Sequence, residues 1–586
     1  MHSRQIENIC TDVDNWASVT TEIKQLRFRS SGIKFFEIDG TISEDSEINK
    51  LKFANNIERL IIRNGKYNKF PKEVFLGLHH LQKVTIQNND VKEWPSELFH
   101  NLSHLRIMNL ENNTLTEKDI ENFDFTKLNN VSELFWSQNK ITAIPKNLNC
   151  FVNLKKLNLG NNRISVIKNG AFEKMETLEN LSLENNNIQL IENEVFTRLP
   201  GLTNLHLNDN NLTEITDTIF YDVQNMKYLL LQRNNISNIQ KGAFKTLTLI
   251  RSLSLGENSI KEITPDMFKG LSNLTFLNVR SNLISSLHDD LFEAITELTH
   301  LDLSSNMIKD ISVTVFKKLK HVKAIYLSGN KIKTLPGKPF LFNHRMKRLE
   351  LSNNKINKLL PQNFKGMIKL TNLALEGNQL TYLKEGTFSG LMALRVLYLS
   401  NNKIRKITAG QFENRELEHI DLGNNFIDEI HANSFSKLEN LGNLNLTNNN
   451  ISIWHTDVYK QIPSLYSLDL NYNYITSLKN DTIQGLPKLR MLFLGFNQIS
   501  KIEPNAFKSL QLLKFLSLKN NNLETLDEGV FSDLSSLRTL DLEDNHIKHL
   551  PNDYFKNIPL LNKVLLDGNS VEVLQNKPEE HSFYSW

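Results

Sequence analysis

The chain has 586 residues, of which 40% are hydrophobic and 23% charged, so its composition predicts a folded protein and excludes intrinsic disorder. Its 68 Lys and Arg residues nearly balance 65 Asp and Glu residues, and this gives a formal net charge of +3. Because no strong positive field results, nucleic acid is not expected as a partner. No hydrophobic run approaches the about 18 residues of a membrane-spanning helix, so we expect no membrane span in this chain.

The first part of the chain, residues 1–56, is irregular. Its opening, MHSRQIENICTDVDNW, lacks the apolar core of a secretory signal, which by itself favours a cytoplasmic protein. The segment IKQLRFRSSGI from Ile23 has the form of a degenerate repeat, with Ser31 where later repeats carry Asn. We predict that residues 1–56 form an N-terminal cap with this degenerate repeat, which covers the first strand edge.

A motif of the form LxxLxLxxN recurs through residues 57–574 and is seen in LRVLYLSNNKI from Leu394. Its 22 copies begin at residues 57, 81, 105, 131, 154, 178, 202, 226, 250, 274, 298, 322, 346, 370, 394, 417, 441, 465, 489, 513, 537 and 561. The intervals are 24 residues, except one of 26 from Leu105 to Val131 and two of 23 that end at Leu154 and Leu417. Such a period is the mark of a leucine-rich solenoid, and the irregular intervals indicate adjusted outer loops.

Each repeat predicts three structural layers. Leu397 and Leu399 point inward from a short strand, while Val396 and Tyr398 point outward. An Asn column at the following turn is expected to bond backbone groups that the turn leaves unpaired. The column includes Asn162, Asn258, Asn354, Asn402 and Asn497. A Phe column predicts a second core along the outer wall and comprises Phe172, Phe196, Phe220, Phe244, Phe268, Phe292, Phe316, Phe340, Phe364 and Phe388.

The whole pattern, seen in LKKLNLGNNRISVIKNGAFEKMETLENL, resembles the typical 24-residue class of extracellular leucine-rich repeat proteins. This class includes Toll-receptor ectodomains, chaoptin-like adhesion proteins and secreted insect immune proteins. The resemblance implies an α/β-type solenoid, a horseshoe with a concave parallel β-sheet and an irregular or short-helical convex side. It also implies a non-enzymatic protein that binds a protein or glycan ligand on the concave face, outside the cell, in adhesion or innate immunity.

The ends of the chain depart from that class, whose members usually carry a cysteine-rich flank at each end. The C-terminal tail, residues 575–586, has no cysteine cluster and no membrane span. The chain is therefore expected to be either a fragment of a secreted or surface protein, or a complete protein capped by polar residues such as Glu579 and Glu580. A structural matrix role and an intracellular scaffold or adaptor role stay open, and the oligomeric state is unknown.

Two cysteines, Cys10 and Cys150, are the only ones in the chain. Several strands separate them, and at about 4.8 Å per strand their distance exceeds the about 7 Å limit of a disulfide. We predict that they are not bonded to each other and that Cys150 is a small buried apolar residue.

Catalytic and metal-binding patterns were not found. There is no HExxH, no phosphate-binding GxxxxGK[ST] and no cysteine cluster, so neither enzyme activity nor a cofactor is expected. His206, His300 and His419 lie in distant repeats and predict no shared metal site. Asp421 and Asp469 lie two repeats apart, about 10 Å, but without a neighbouring helper group we interpret them as solvated acids.

The strongest candidate site is a local change of the outward-facing residues from polar to aromatic. It comprises Tyr466, Tyr472, Met491, Phe493, Phe496 and Phe515, flanked by Arg490 and Lys514. Exposed apolar clusters with aromatic and basic residues are typical of binding hot spots, so we predict one continuous partner-binding patch. The alternative is that the rings pack on each other or beneath the tail. A smaller second candidate joins Tyr326 and Tyr398.

Glycosylation motifs of the form N-x-S/T are frequent because the repeat itself supplies Asn near Ser or Thr. Asn101 and Asn273 are the best acceptors, since each lies in an outer segment just before a new repeat. Asn180 lies on a predicted strand, where a glycan would obstruct the concave face.

Overall fold

The computed structural model describes residues 35–39, 57–221, 223–452, 456–480, 482–551, 554–571 and 584–585. The chain forms two compact units, which we describe separately. The first comprises residues 1–283 with 293–295, and the second comprises residues 284–292 with 296–586. In both units parallel strands of successive repeats form the inner sheet of a solenoid with very little helix, as the sequence predicts.

The inner sheet of the first unit pairs each strand in parallel with the strand of the next repeat. Asn180, Leu181 and Ser182, for example, lie opposite Asn204, Leu205 and His206. The strands are Phe35–Asp39, Arg59–Arg63, Lys83–Gln87, Ile107–Asn109, Glu133–Phe135, Lys156–Asn158, Asn180–Ser182, Asn204–His206, Tyr228–Leu230, Ser252–Ser254 and Phe276–Asn278. Three outer pairs of short parallel strands accompany them: Lys66–Lys69 with Asp90–Glu93, Val166–Ile167 with Leu190–Ile191, and Glu214–Ile215 with Asn238–Ile239.

The second unit repeats this arrangement, with Met491 opposite Phe515 and Phe493 opposite Ser517. Its inner strands are His300–Asp302, Ala324–Tyr326, Arg348–Glu350, Asn372–Ala374, Val396–Tyr398, His419–Asp421, Asn443–Asn445, Ser467–Asp469, Met491–Phe493, Phe515–Ser517, Thr539–Asp541, Lys563–Leu565 and Tyr584–Ser585. Two outer pairs join Lys406–Ile407 with Glu429–Ile430 and Ser477–Leu478 with Lys501–Ile502.

Two apolar layers fill each unit. The inward residues of the strands, such as Leu397 and Leu399, are fully buried. All members of the predicted Phe column are also buried, and neighbouring rings stack, with centroids 6.2 Å apart for Phe196 and Phe220 and 5.7 Å for Phe316 and Phe340. The stacked rings bury large apolar areas and join successive outer segments, so the predicted second core is confirmed.

The Asn column bonds backbone groups of two successive repeats. The side-chain amide of Asn258 donates to the carbonyls of Leu231 and Leu255, both at 3.0 Å. Its Oδ1 accepts from the N–H of Ile236 at 2.9 Å. Equivalent bonds are made by Asn162, Asn354, Asn402 and Asn497. The predicted structural role of the column is confirmed.

Short helices occur in a few repeats, and two of them lie in intervals of irregular length. The 26-residue interval from Leu105 to Val131 accommodates an α-helix, Glu117–Asn122. Thr116 caps it, because its side chain accepts from the N–H of Asp119 while the Asp119 carboxylate accepts from the N–H of Thr116. The other described helices are the 3₁₀-helices Lys146–Cys150 and Pro265–Phe268 and the helical turn Thr456–Tyr459.

The two ends of the repeat array carry further strands. Phe35–Asp39 pairs with Arg59–Arg63 at a 24-residue offset, so a repeat strand lies within the segment predicted as a cap. The degenerate repeat predicted from Ile23 lies outside the described residues. At the other end, Tyr584 and Ser585 of the tail pair with Val564 and Leu565. The division into cap at 1–56, solenoid at 57–574 and tail at 575–586 stays a prediction.

Cys150 lies at the end of the helix Lys146–Cys150 and is half-buried, not buried as the sequence suggested. It is free among the described residues, which do not include Cys10.

We expect the thiols of Cys10 and Cys150 both to react with a maleimide when the chain is denatured without reductant, since the repeats between them are expected to hold them apart. A peptide map that links Cys10 to Cys150 by a disulfide would contradict this expectation, and prior reduction is the control.

Candidate ligand-binding surface

The aromatic surface is defined here as Tyr466, Tyr472, Met491, Phe493, Phe496 and Phe515, all in the second unit. Leu492 and Leu494 are fully buried in the core. Since side chains alternate along a strand, Met491 and Phe493 project from the opposite face of the sheet. The aromatic surface is thus carried by rigid, hydrogen-bonded strands and by the turns that follow them.

The strand part of the surface consists of Met491, Phe493 and Phe515. Met491 lies opposite Phe515 on the neighbouring strand, and the rings of Phe493 and Phe515 have centroids 5.1 Å apart at an angle of 43°. All three side chains are half-buried. They therefore present apolar area to a ligand while their ring contact fixes part of their orientation.

The turn part consists of Tyr472 and Phe496, whose rings stack with centroids 4.1 Å apart and planes within 7°. Both residues have a left-handed backbone, with φ of 55° and 54°. The equivalent positions of the flanking repeats hold Asn448 and Asn520, which tolerate this conformation better than an aromatic residue does. Tyr472 is nevertheless 51% exposed, so the ring is not placed there to fill a core.

The sequence predicted one continuous patch, and this stays a prediction. Its described ring contacts join Tyr472 to Phe496 and Phe493 to Phe515. Gly495 lies between the two pairs along the chain, and its N–H donates to Asn471 Oδ1 at 2.7 Å. The rings therefore pack on each other in two pairs, as the alternative held, while Tyr472 stays exposed and Phe493, Phe496 and Phe515 are half-buried.

Tyr466 extends the surface toward the preceding repeat. Its ring lies against Gly442, where an added Cβ would be only 2.4 Å from Tyr466 Cε1. A side chain at residue 442 would displace the ring, which is 45% exposed. Tyr474, two residues beyond Tyr472, is equally exposed and was not singled out from the sequence, although it belongs to the same turn.

Charged groups border the rings. Arg490 and Lys514 are exposed, as predicted. On the other side, Asp469 lies opposite Phe493. Burial raises the pKa of Asp469 and the nearby Asp421 acts in the same direction, while the N–H of Asn471 opposes them. The aromatic surface is therefore bordered by the exposed cations Arg490 and Lys514 and by the acid Asp469.

The two acids singled out from the sequence, Asp421 and Asp469, lie on strands that a third strand separates. Asn445 occupies the strand between Asp421 and Asp469, and its amide donates to Asp421 Oδ1 at 2.7 Å. Burial lowers the pKa of His206, His300 and His419, which lie in separate repeats. Within the described ranges, no group of three or more His, Cys, Asp or Glu is placed to hold a metal ion.

The second candidate is a smaller cluster of mixed charge. The Arg348 guanidinium lies 5.9 Å from the ring centroid of Tyr326 and also pairs with Glu350 at 2.5 Å. Tyr398 contacts His419 edge to face, with centroids 5.4 Å apart. Arg348 and the rings of Tyr326 and Tyr398 thus contact other residues of the protein. We therefore expect the cluster to offer a ligand less free surface than the aromatic surface does.

The predicted glycosylation sites are exposed. Asn101 and Asn273 both lie on the surface, although the amide of Asn273 donates to the carbonyl of Thr248 at 2.8 Å. Asn180 lies within an inner strand, where its backbone is paired on both sides. Glycosylation at Asn101 and Asn273 stays a prediction.

No helix in the described parts of the chain combines the length and the apolar character needed to cross a bilayer. The family described as leucine rich repeat matches residues 55–115, 152–212, 200–260, 224–284, 248–308, 273–332, 296–342, 344–404, 393–451, 463–523 and 511–571.

The solved structures that are similar to this chain include two receptors. One is the plant peptide hormone receptor RGFR1 in complex with RGF2, with 19% identity, 92% of each chain covered and a TM-score of 0.58. The other is the TLR13–ssRNA13 complex, with 24% identity, 88% of each chain covered and a TM-score of 0.45. No curated protein matches the chain at a significant level.

Proposed function

Since the chain belongs to the leucine-rich repeat family, we propose that it is an extracellular recognition protein that binds a protein ligand through the aromatic surface. Its role is binding and not chemistry, in ligand recognition or adhesion, with innate immunity as one setting. The extracellular setting is supported by the likeness of its 24-residue repeat to the extracellular class of these proteins.

One observation carries the proposal: Tyr472 and Phe496 occupy left-handed turn positions and still expose ring area. A bulky residue in this conformation costs about 1–3 kcal/mol, so local stability alone would favour Asn or Gly there. Residues held at such a cost cluster at ligand-binding sites. Beside them, the half-buried rings of Phe493 and Phe515 have the composition of a hot spot.

The test replaces both turn rings by the residue that their neighbours use, in Tyr472→Asn with Phe496→Asn. We expect the urea midpoint of unfolding to stay equal or rise, because Asn relieves the left-handed backbone while only one ring stack is lost. Saturable binding of the fluorescently labelled full chain to intact cells should fall at least about tenfold.

The matched control is Tyr228→Asn, which removes an exposed aromatic residue from an inner strand of the first unit. It should bind cells as the wild type does. Wild-type binding by the Tyr472 and Phe496 variant would contradict the proposed site. Binding to proteins of a cell extract but never to intact cells would favour the intracellular scaffold role.

A further inference from the structure

We propose that the protein segment bound by the aromatic surface is acidic, and that its carboxylates lie along a row of three cations. The row consists of Arg490, Lys514 and Arg538. The inference rests on the proposed function, because it specifies the partner chemistry at that same surface.

The three cations hold the same position in successive repeats, one residue before each inner strand. The N–H of Lys514 donates to the carbonyl of Arg490 at 2.8 Å, and that of Arg538 to the carbonyl of Lys514 at 2.9 Å. All three side chains are exposed. Because neighbouring strands are about 4.8 Å apart, the row is about 10 Å long at the backbone.

Within the described part of the chain, no acid pairs with the row. Elsewhere in the same column a cation pairs with the acid of the next repeat, as Lys155 does with Glu179 at 3.2 Å and Arg395 with Glu418 at 3.6 Å. For the row itself, no carboxylate of the described residues lies within ion-pair distance. Next to Lys514 the column holds Arg538, a second cation, and not an acid. The charge is therefore available to a partner.

The position of the row beside the rings selects a peptide over other polyanions. Arg490 and Lys514 directly precede Met491 and Phe515, whose half-buried side chains need an apolar anchor from the ligand. A sulfated polysaccharide or a nucleic acid backbone offers the anions without that anchor. An extended peptide rises about 3.3 Å per residue, so about three residues span the row. Asp or Glu next to one large apolar residue satisfies both features.

The test uses a display library of random peptides selected on the immobilised full chain. We expect the selected peptides to be enriched in Asp and Glu next to an aromatic or aliphatic residue. They should bind Arg490→Glu with Arg538→Glu at least about tenfold more weakly, because charge reversal turns attraction into repulsion. Their binding to the wild type should also weaken as salt is raised.

The matched control is Lys227→Glu with Arg251→Glu, which reverses two neighbouring cations of the same column in the first unit. It should bind the peptides as the wild type does. Peptides that require Phe493 and Phe515 but show no acidic enrichment would overturn this inference and leave the proposed function standing. If no selected peptide requires Phe493 or Phe515, the result contradicts both this inference and the proposed binding role of the aromatic surface. Retention on immobilised heparin through the row, without acidic peptides, would also overturn the inference.

Discussion

Asn258→Ala is expected to lower the free energy of unfolding by ~1–3 kcal/mol, since it leaves the buried N–H of Ile236 without its acceptor and removes one of two donors from each of three carbonyls. Three carbonyls, those of Leu231, Leu255 and Gly256, lose a donor, and the N–H of Ile236 loses its acceptor. Urea unfolding followed by circular dichroism measures the loss.

The comparison variant is Asn569→Ala at the last repeat. Asn569 makes the same kinds of bond, to the carbonyls of Leu542 and Leu566 and from the N–H of Ile547. Asn569 is half-buried, as Asn258 is, but its amide donates to two described carbonyls and not to three, so its loss should be smaller. An equal or greater loss at Asn569 would contradict the structural role that we give to the column.

Most of the fold follows from the period of the sequence. Leu397, Asn258 and Phe220 behave as their columns predict, because a strict repeat places each residue type in the same environment in every copy. The strand Phe35–Asp39 escaped prediction because Phe36 stands where later repeats have Leu and Thr41 where they have Asn. Those substitutions conceal the motif although the 24-residue offset is kept.

The candidate site was only partly predictable. The sequence identified which repeats change from polar to aromatic, but not that the rings of Tyr472 and Phe496 would stack as a separate pair. Ring orientation depends on neighbouring side chains, not on the period. A signal for the left-handed turn was present, because the same position is mostly Asn, Asp, Ser or Gly in other repeats. The row of Arg490, Lys514 and Arg538 was also predictable, because the three residues hold the same position of successive repeats in the sequence.

Phe493→Ser with Phe515→Ser is expected to weaken partner binding by about a hundredfold or more. Each ring has the features of a hot spot, for which truncation costs about 2 kcal/mol or more, and every ~1.4 kcal/mol is tenfold in affinity. The two rings contact each other at 5.1 Å, so the double substitution removes the pair as a unit. Both are half-buried on the outward face, so the inner core of Leu492 and Leu516 stays intact.

Two controls separate binding from folding. The first is Ser182→Ala with Ser254→Ala, two residues of the first unit that hold the same position in their repeats as Phe493. The second is Tyr228→Ser, which removes an exposed ring from the repeat position that Phe515 holds. Both are expected to bind as the wild type does. All variants are compared at equal folded fraction, measured by urea unfolding.

Adhesion of cells to the immobilised full chain, compared between the wild type and the Phe493→Ser, Phe515→Ser variant, tests the binding role of the aromatic surface most directly. The predicted result is that half-maximal adhesion requires about a hundredfold more of the folded variant, while both control variants match the wild type. Unchanged adhesion by the folded double variant would contradict it and would direct the search to the mixed-charge cluster around Arg348 and Arg395.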